Sequence, residues 1–289
     1  MSAKERLDGA LFARGLAQSR EQAKKLVMAG TVYVNGQKAS KASQMVLPDD
    51  ALEVRGHALP YVSRGGLKLE KALRVFPIDV NGLVCADVGA STGGFTDCLL
   101  QNGARKVYSL DVGYGQLDWK LRNDERVVVM ERTNARSMEP AWFDETPQFG
   151  CMDVSFISIR LILPALLTVL APGSNVVALI KPQFEAGREN VGKKGVVRDS
   201  AVHAQVIEDM LAFVRETEFG VRGLDFSPIT GPEGNIEFLL WLQKGGEHAW
   251  DSSEDGLRAK ETALLAKAFH QKEKESKEKG QKESADAAQ

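Results

Sequence analysis

The sequence has little cysteine: Cys85, Cys98 and Cys151 stand far apart in 289 residues, with no CxxC pair. That usage argues against a disulfide framework or a structural zinc site, and the expected setting is a reducing cytoplasm. Histidine is as scarce. Four scattered residues (His57, His203, His248, His270) show no HExxH or comparable ligand spacing, so no metal is expected. No apolar run approaches the roughly 18 uninterrupted residues of a membrane helix. The first residues, MSAKERLDGALFARG, are charged and amphipathic and lack the apolar core of a signal peptide, so export is not expected.

What is present suits a soluble chain of about two domains, with 43% hydrophobic and 26% charged residues. Charge is unevenly spread. Residues 1–74 carry 13 Lys and Arg against 7 Asp and Glu, a net +6, whereas residues 75–250 are at −7 and residues 251–289 at −1. A basic head on an acidic body fits a nucleic-acid module joined to an enzyme; chance variation in surface charge is the alternative.

The head reads as a small α/β unit. Leu7, Leu11 and Phe12 give a short amphipathic helix. Ser19 followed by Gln22 has the form of a capping box, opening a second helix with Ala23, Leu26 and Val27 inward and Gly30 at its end. Thr31 to Val34 is β-branched and aromatic, Asn35-Gly36 is a tight-turn pair, and Ala51 to Val54 is a further strand. Arg20, Lys24 and Lys25 on the second helix, with Arg6, Arg14, Lys38 and Lys41, suit phosphate contacts; a solvated charged face is the competing reading. The whole run RLDGALFARGLAQSREQAKKLVMAGTVYVNG resembles an S4 domain, a module that presents basic residues to structured RNA.

From residue 61 to about 245, strands alternate with helices, the pattern of a parallel sheet covered on both faces. Strands are expected at 83–88, 106–112, 127–130, 149–154, 176–181 and 236–242, with a helix over 159–170. Asp87-x-Gly89-x-x-x-Gly93-Gly94 falls where the first strand hands over to a helix; glycines there admit close backbone approach to a ligand. Asp111 ends the next strand and suits the two hydroxyls of a ribose. The spacing is not GxGxxG, so a dinucleotide is less favoured than another nucleoside cofactor.

The segment Asp87-Val-Gly-Ala-Ser-Thr-Gly-Gly-Phe-Thr resembles motif I of methyltransferases that use S-adenosylmethionine. SRGGLKL around Lys68, MDVSFIS around Asp153, LIKPQFE around Lys181 and NIEFLL around Glu237 match the Lys-Asp-Lys-Glu tetrad of the FtsJ-like 2′-O-ribose methyltransferases. With the S4 head and KGVVRDS at 194–200, the chain resembles the TlyA family of rRNA methyltransferases over roughly residues 4–245.

That resemblance implies an α/β, Rossmann-like class I methyltransferase with a mostly parallel seven-stranded sheet, preceded by the S4 domain. Its domains would be residues 1–60, a linker at 61–67, the methyltransferase at 68–248 and a charged tail at 249–289. It implies transfer of a methyl group from S-adenosylmethionine to a cytidine ribose 2′-OH of 16S or 23S rRNA, by a monomer acting on ribosomal particles. Lys68, Asp153, Lys181 and Glu237 would be catalytic, although Lys71 competes with Lys68 on spacing. Asp87, Gly89, Ala90, Ser91, Gly93, Gly94 and Asp111 would hold the methionine and ribose of the cofactor, and Asn134 and Ala135 its adenine; Asn134 equally suits a turn. RNA would be met by Arg6, Arg14, Arg20, Lys24, Lys25, Lys41 and Arg64, and by Arg188, Lys193 and Lys194 in a glycine-interleaved loop that suits a phosphate clamp. Phe95 and Phe156 read as core aromatics.

A ribose 2′-OH is a very weak acid, so a base must remove its proton as the oxygen attacks. A buried lysine serves if its surroundings leave some of it neutral, and neighbouring carboxylates orient it. Two other functions stand against this one: a membrane-active haemolysin, a label the family also carries, and an RNA binder whose methyltransferase fold no longer catalyses. Residues 251–289 hold only four of Leu, Ile, Val and Phe; one amphipathic helix through Leu257, Leu264, Leu265 and Phe269 is expected there and disorder in the remainder.

Overall fold

The computed structural model describes residues 4–17, 19–28, 30–54, 59–231 and 233–286, with the side chains of all but Lys25 and residues 276–286. The Lys25 side chain therefore lies outside the described residues. The chain divides into two units, residues 1–60 with 273–289, and residues 61–272.

The first unit runs β1 (Glu5–Arg6), α1 (Leu7–Ala13), α2 (Arg20–Met28), β2 (Val32–Val34), β3 (Gln37–Lys38), β4 (Met45–Val46) and β5 (Leu52–Val54). Leu7, Leu11, Ala23, Leu26 and Val27 close one small core with Val32 and Val34. The Gln22 amide donates to Ser19 Oγ at 3.1 Å, one half of a capping box. Asn35 and Gly36, at φ +50° and +76°, turn β2 into β3 with Val34 opposite Gln37. Both central residues at positive φ match the right-handed twist of the strands they join.

The second unit contains α3 (Gly66–Val75), β6 (Val84–Val88), α4 (Gly94–Gln101), β7 (Lys106–Leu110), α5 (Trp119–Arg122), β8 (Val127–Met130), β9 (Phe149–Met152), α6 (Leu163–Val169), β10 (Asn175–Ile180), α7 (Pro182–Glu185), α8 (Ser200–Arg215), β11 (Phe219–Phe226), β12 (Phe238–Lys244) and the part of α9 (Asp255–Asp286) up to residue 272. Seven strands form one sheet in the order β11-β12-β10-β9-β6-β7-β8. The five from β10 to β8 are mutually parallel, and β12 runs antiparallel to both its neighbours. Side chains alternate between faces. Val84, Ala86, Val88, Val176, Ala178 and Ile180 enter one core, and Cys85, Val177, Leu179 and Leu239 the other.

Strand order reverses between β6, which is followed by β7 on one side, and β9, which lies on the other. In an open parallel sheet the crevice beyond the carboxyl ends of such strands is where ligands bind. Here those ends are Val88-Gly89 and Met152-Asp153.

Residues 61–67 are not a linker. Tyr61 is buried, its hydroxyl donates to Glu70 Oε1 at 2.9 Å, and the Val62 amide donates to Asp97 Oδ2 at 2.8 Å. The expected helix over 159–170 divides into a 3₁₀ turn at Ile159–Leu161 and α6, with Pro164 in the first turn of α6. At the other end, α9 continues to Asp286, well beyond the short helix expected. Ala259, Ala263 and Ala266 face the core at helical spacing, and Arg215 clasps Asp255 at the helix start through two contacts of 2.7 and 2.8 Å. The Lys, Glu, Gln and Ala beyond are strong helix formers, so helix once begun propagates through residues that could build no core of their own.

Candidate active site

Two adjoining cavities open at the switch point. The larger, about 540 Å³, is lined by Lys68, Asp153, Lys181 and Glu237 together with Ser63, Arg64, Gly89, Ala90, Ser91, Gly94 and Lys194. The second, about 350 Å³, is lined by Gly89, Ser91, Asp111, Asn134, Ala135, Asp153 and Phe156. They share Gly89, Ser91, Asp153, Ser155 and Phe156.

Four elements deliver the charged group. Lys68 lies in the first turn of α3, Asp153 and Lys181 immediately follow β9 and β10, and Glu237 immediately precedes β12. Because β12 is the reversed strand, its start meets the ends of its parallel neighbours. Lys68 Nζ is 2.9 Å from Asp153 Oδ2 and 2.6 Å from Glu237 Oε2, while Lys181 Nζ is 2.6 Å from Asp153 Oδ1 and donates to Ser155 Oγ at 3.1 Å. The side chains of Lys68, Lys181 and Glu237 are less than a tenth exposed (9%, 8% and 2%). Asp153 therefore bridges the two lysines, and Lys68 alone touches two carboxylates.

Burial pushes the Asp153 carboxyl up, but the two ammonium groups outweigh it and hold it below the usual range. Burial likewise pushes Lys68 down, and Asp153 and Glu237 reverse that, holding it above its ordinary value. Lys71 is engaged elsewhere: it donates to Asp225 Oδ1 at 2.8 Å and to the Phe226 carbonyl at 2.6 Å, over the Phe226 ring.

The glycine loop is held by steric need. Gly89 has φ +85°, and a Cβ there would stand 2.8 Å from the Asp153 carbonyl oxygen. A Cβ on Gly94 would stand 2.8 Å from the Gly66 nitrogen, so the loop and the start of α3 interlock backbone to backbone. Gly93 and Asp87 line neither cavity. Gly93 packs against Leu117 and Leu121. Asp87 is wholly buried beneath the loop, where its Oδ2 accepts from Thr96 Oγ1 at 2.7 Å and its Oδ1 lies 3.7 Å from Cys151 Sγ. Asp111 accepts from the amides of Ser91 (2.8 Å) and Gly113 (2.7 Å), and Asn134 caps a 3₁₀ turn through the Arg136 amide while lining the second cavity.

Burial raises the Asp87 carboxyl to about 7, against about 3.9 in an unfolded chain. The native state then holds the extra proton between those values, and stability is expected to fall as pH rises from about 4 to about 7. Asp87→Asn should remove that slope. Thermal melts at pH 5 and pH 8 are expected to show the variant gaining on the wild type, by at most about 3 kcal/mol. Parallel pH profiles for the two would refute the assignment.

Several lining residues escaped the sequence reading: Ser155, Gln183, Phe184 and Asn235. Ser155 and Phe156 stand inside MDVSFIS, so the signal was at hand. Phe156 is not a core aromatic: it is 92% exposed at φ +65° and rests against Phe184 with centroids 5.3 Å apart. Left-handed backbone is costly for a bulky residue and collects at functional sites. Phe95 is buried as expected.

Of the basic residues, Arg64 and Lys194 line the larger cavity, and Arg188 lines a shallow depression beside Phe184. Lys193 and Lys41 are exposed. In the first unit, Arg6 (2.8 Å) and Arg20 (3.3 Å) both engage the buried Asp8; the Arg6 bond, against the opposing effect of burial, holds that carboxyl well below its ordinary range. Lys24 pairs with Glu21 at 2.6 Å, and Arg14 donates to the carbonyls of Asp50 (2.6 Å) and Leu47 (3.0 Å), fastening its own unit. Among the described residues no helix is long and apolar enough to cross a membrane, and no three His, Cys, Asp or Glu come together as a metal site would require.

A mostly parallel seven-stranded sheet with its reversed strand next to the edge, a glycine loop after its central strand and a Lys-Asp-Lys-Glu cluster at the crevice define a Rossmann-like methyltransferase. The chain belongs to the TlyA type of the FtsJ-like methyltransferase family, which matches residues 61–244 behind an S4 domain at residues 5–52. YqxC of Bacillus subtilis is 59% identical over 247 residues, 85% of this chain and 88% of that protein. The 16S/23S rRNA (cytidine-2′-O)-methyltransferase TlyA of Mycobacterium tuberculosis is 44% identical over 250 residues, 86% of this chain and 93% of that one. A solved structure from Streptococcus thermophilus, which bears the name hemolysin, is 49% identical with a TM-score of 0.75, covering 95% of this chain and all of its own.

Proposed function

We propose that the protein, as a monomer, transfers a methyl group from S-adenosylmethionine to the 2′-hydroxyl of a cytidine in rRNA carried by ribosomal particles. The observation that carries this reading is the shared Asp153, which sets two buried lysines beside the crevice of a methyltransferase sheet. The relative named for cytidine 2′-O-methylation supports the acceptor, and the S4 unit supports a structured RNA.

The residues present suit the cofactor. Asp111 has the chemistry for a ribose diol, Asn134 and Ala135 border the space for an adenine, Gly89 and Ser91 border both cavities, and Ala90 lines the larger one. S-adenosylmethionine supplies the electrophilic methyl group on a sulfonium. The chain's own residues do the rest. Once Lys181 has given up one proton to solvent, the O–CH3 bond forms as the S–CH3 bond breaks, the sulfur leaves as a neutral thioether, and the 2′-OH proton passes to the neutral Lys181 Nζ. Lys68, held by two carboxylates, stays an ammonium and fixes Asp153 and Glu237. Lys181 faces one carboxylate and the neutral Ser155 hydroxyl, so of the two lysines it is the less firmly held and is assigned as the base. Positioning of the oxygen in line with the breaking bond supplies the larger part of the acceleration.

Transfer of labelled methyl to 30S, 50S and assembled particles from a strain lacking the modification tests the reading. Label in a ribose 2′-oxygen of one or both rRNAs is the expected result. Label on a base, or on no particle while the cofactor binds, would overturn it.

Phe156 offers an exposed ring beside the proposed base, suited to stack a nucleobase splayed from its helix. Phe156→Ala is expected to lower kcat/KM for the RNA by about 5- to 100-fold, the worth of one stacked base. Phe156→Tyr should retain most activity; equal loss in both would mean the ring's face is not what matters.

A further inference from the structure

The loop between α7 and α8 has two halves of opposite character. Residues 188–194 project and are largely exposed, carrying Arg188, Lys193 and Lys194, whereas Val196 and Val197 are buried. Glycines at positive φ stand at both ends of the projecting half, Gly187 at +78° and Gly195 at +71°. The buried half is gripped from two sides. Asn235 Nδ2 donates to the Gly195 carbonyl at 2.8 Å and Asn235 Oδ1 accepts from the Val197 amide at 3.0 Å, while His203 Nε2 lies 3.1 Å from the Val197 carbonyl. Asn235 is itself buried, its own carbonyl accepts from the Gly231 amide at 2.8 Å, and it stands two residues before Glu237 on the wall of the same cavity that Lys194 lines.

We infer that Asn235 is a positioning residue for the RNA substrate: its carboxamide fixes the hinge at Gly195 so that the cationic arm 188–194 is presented over the methyl acceptor. This rests on the RNA reading above. The chemistry is particular to asparagine, because one short planar group must both donate to a carbonyl and accept from an amide two residues on. A carboxylate would set an oxygen against the Gly195 carbonyl, and a methyl group would leave both backbone groups without this partner. The ladder of β12 begins at Phe238 and uses no atom of the Asn235 side chain, so the sheet does not depend on this contact.

The test uses the full chain with Asn235→Asp, Asn235→Ser, Lys194→Ala and the double variant Asn235→Asp/Lys194→Ala. The readouts are S-adenosylmethionine affinity by calorimetry, methyl-transfer kinetics on 30S and 50S particles, and amide hydrogen exchange. Each Asn235 variant is expected to keep cofactor affinity within about twofold and to raise KM for the particle about tenfold or more, with kcat changed far less. Amides of 192–198 should exchange faster while β10 and β12 keep their protection. Because Asn235 acts through the arm, Asn235→Asp should add little to the KM of Lys194→Ala. Full additivity, unchanged exchange in the loop, or cofactor affinity falling in step with KM would each overturn the inference. A wild type that methylates no particle would refute the functional reading instead, and hydrogen exchange would still decide whether Asn235 holds the loop.

Discussion

Lys181→Ala is expected to lower the single-turnover rate of methyl transfer by about 10³-fold or more, with S-adenosylmethionine affinity unchanged. General-base catalysis contributes about 10²–10⁴-fold, and Lys181 has no substitute within the cluster: Lys68 is held as an ammonium between Asp153 and Glu237. Lys181→Arg separates proton transfer from charge. A guanidinium can still pair with Asp153 but does not release its proton near neutral pH. The arginine variant should therefore be about as inactive as the alanine variant while melting closer to the wild type. An arginine variant with substantial activity would show that Lys181 acts as a fixed cation and that the proton leaves by another route.

The legibility of the molecule in its sequence followed how much of each element's character is local. Strands buried on both faces, such as Val84–Val88 and Asn175–Ile180, read as continuous apolar runs and were found within a residue or two. β11 was not located individually, because Phe219–Phe226 carries Gly220, Arg222, Gly223 and Asp225 and is paired on one side only, at the sheet edge. Pairing with β12 makes it a strand, and that partner lies beyond any local window. The tetrad was legible residue by residue, since each member sits in a short motif at the end of an apolar run. Its wiring was not. That Asp153 touches both lysines follows from β9 and β10 ending side by side beneath the start of α3, and that Lys68 also reaches Glu237 follows from β12 running against β10. Phe156 departs from the core expected of a large aromatic: its backbone is at positive φ and its ring is exposed, neither of which the residue type signals. Asn235 stands at the head of NIEFLL, but its role is not legible there, since its partners are backbone atoms 38 and 40 residues away.

The shared carboxylate makes Asp153 the residue whose loss should cost most in stability as well as in rate. Asp153→Ala leaves two buried ammonium groups with one remaining carboxylate, Glu237, which reaches only Lys68. Removing one partner of a buried ion pair costs about 3–5 kcal/mol, because the other charge is left without compensation. Urea or thermal unfolding at pH 7 is expected to show a loss of that order, together with a methyl-transfer rate reduced at least as far as in Lys181→Ala. Because its lysine partners hold the native carboxyl below its ordinary range, this stabilisation is present above about pH 4 and is lost as pH falls through the native value. The gap between wild type and variant should therefore narrow in acid. The double variant Asp153→Ala/Lys181→Met separates the two costs. It removes the orphaned cation and fills its space with an apolar chain, so stability should recover by about 2 kcal/mol or more, while transfer stays at the level of the single variants. Stability that does not recover would mean the penalty arises from lost packing around Asp153, not from an unpaired charge. Activity that returns with stability would refute the assignment of Lys181 as the base.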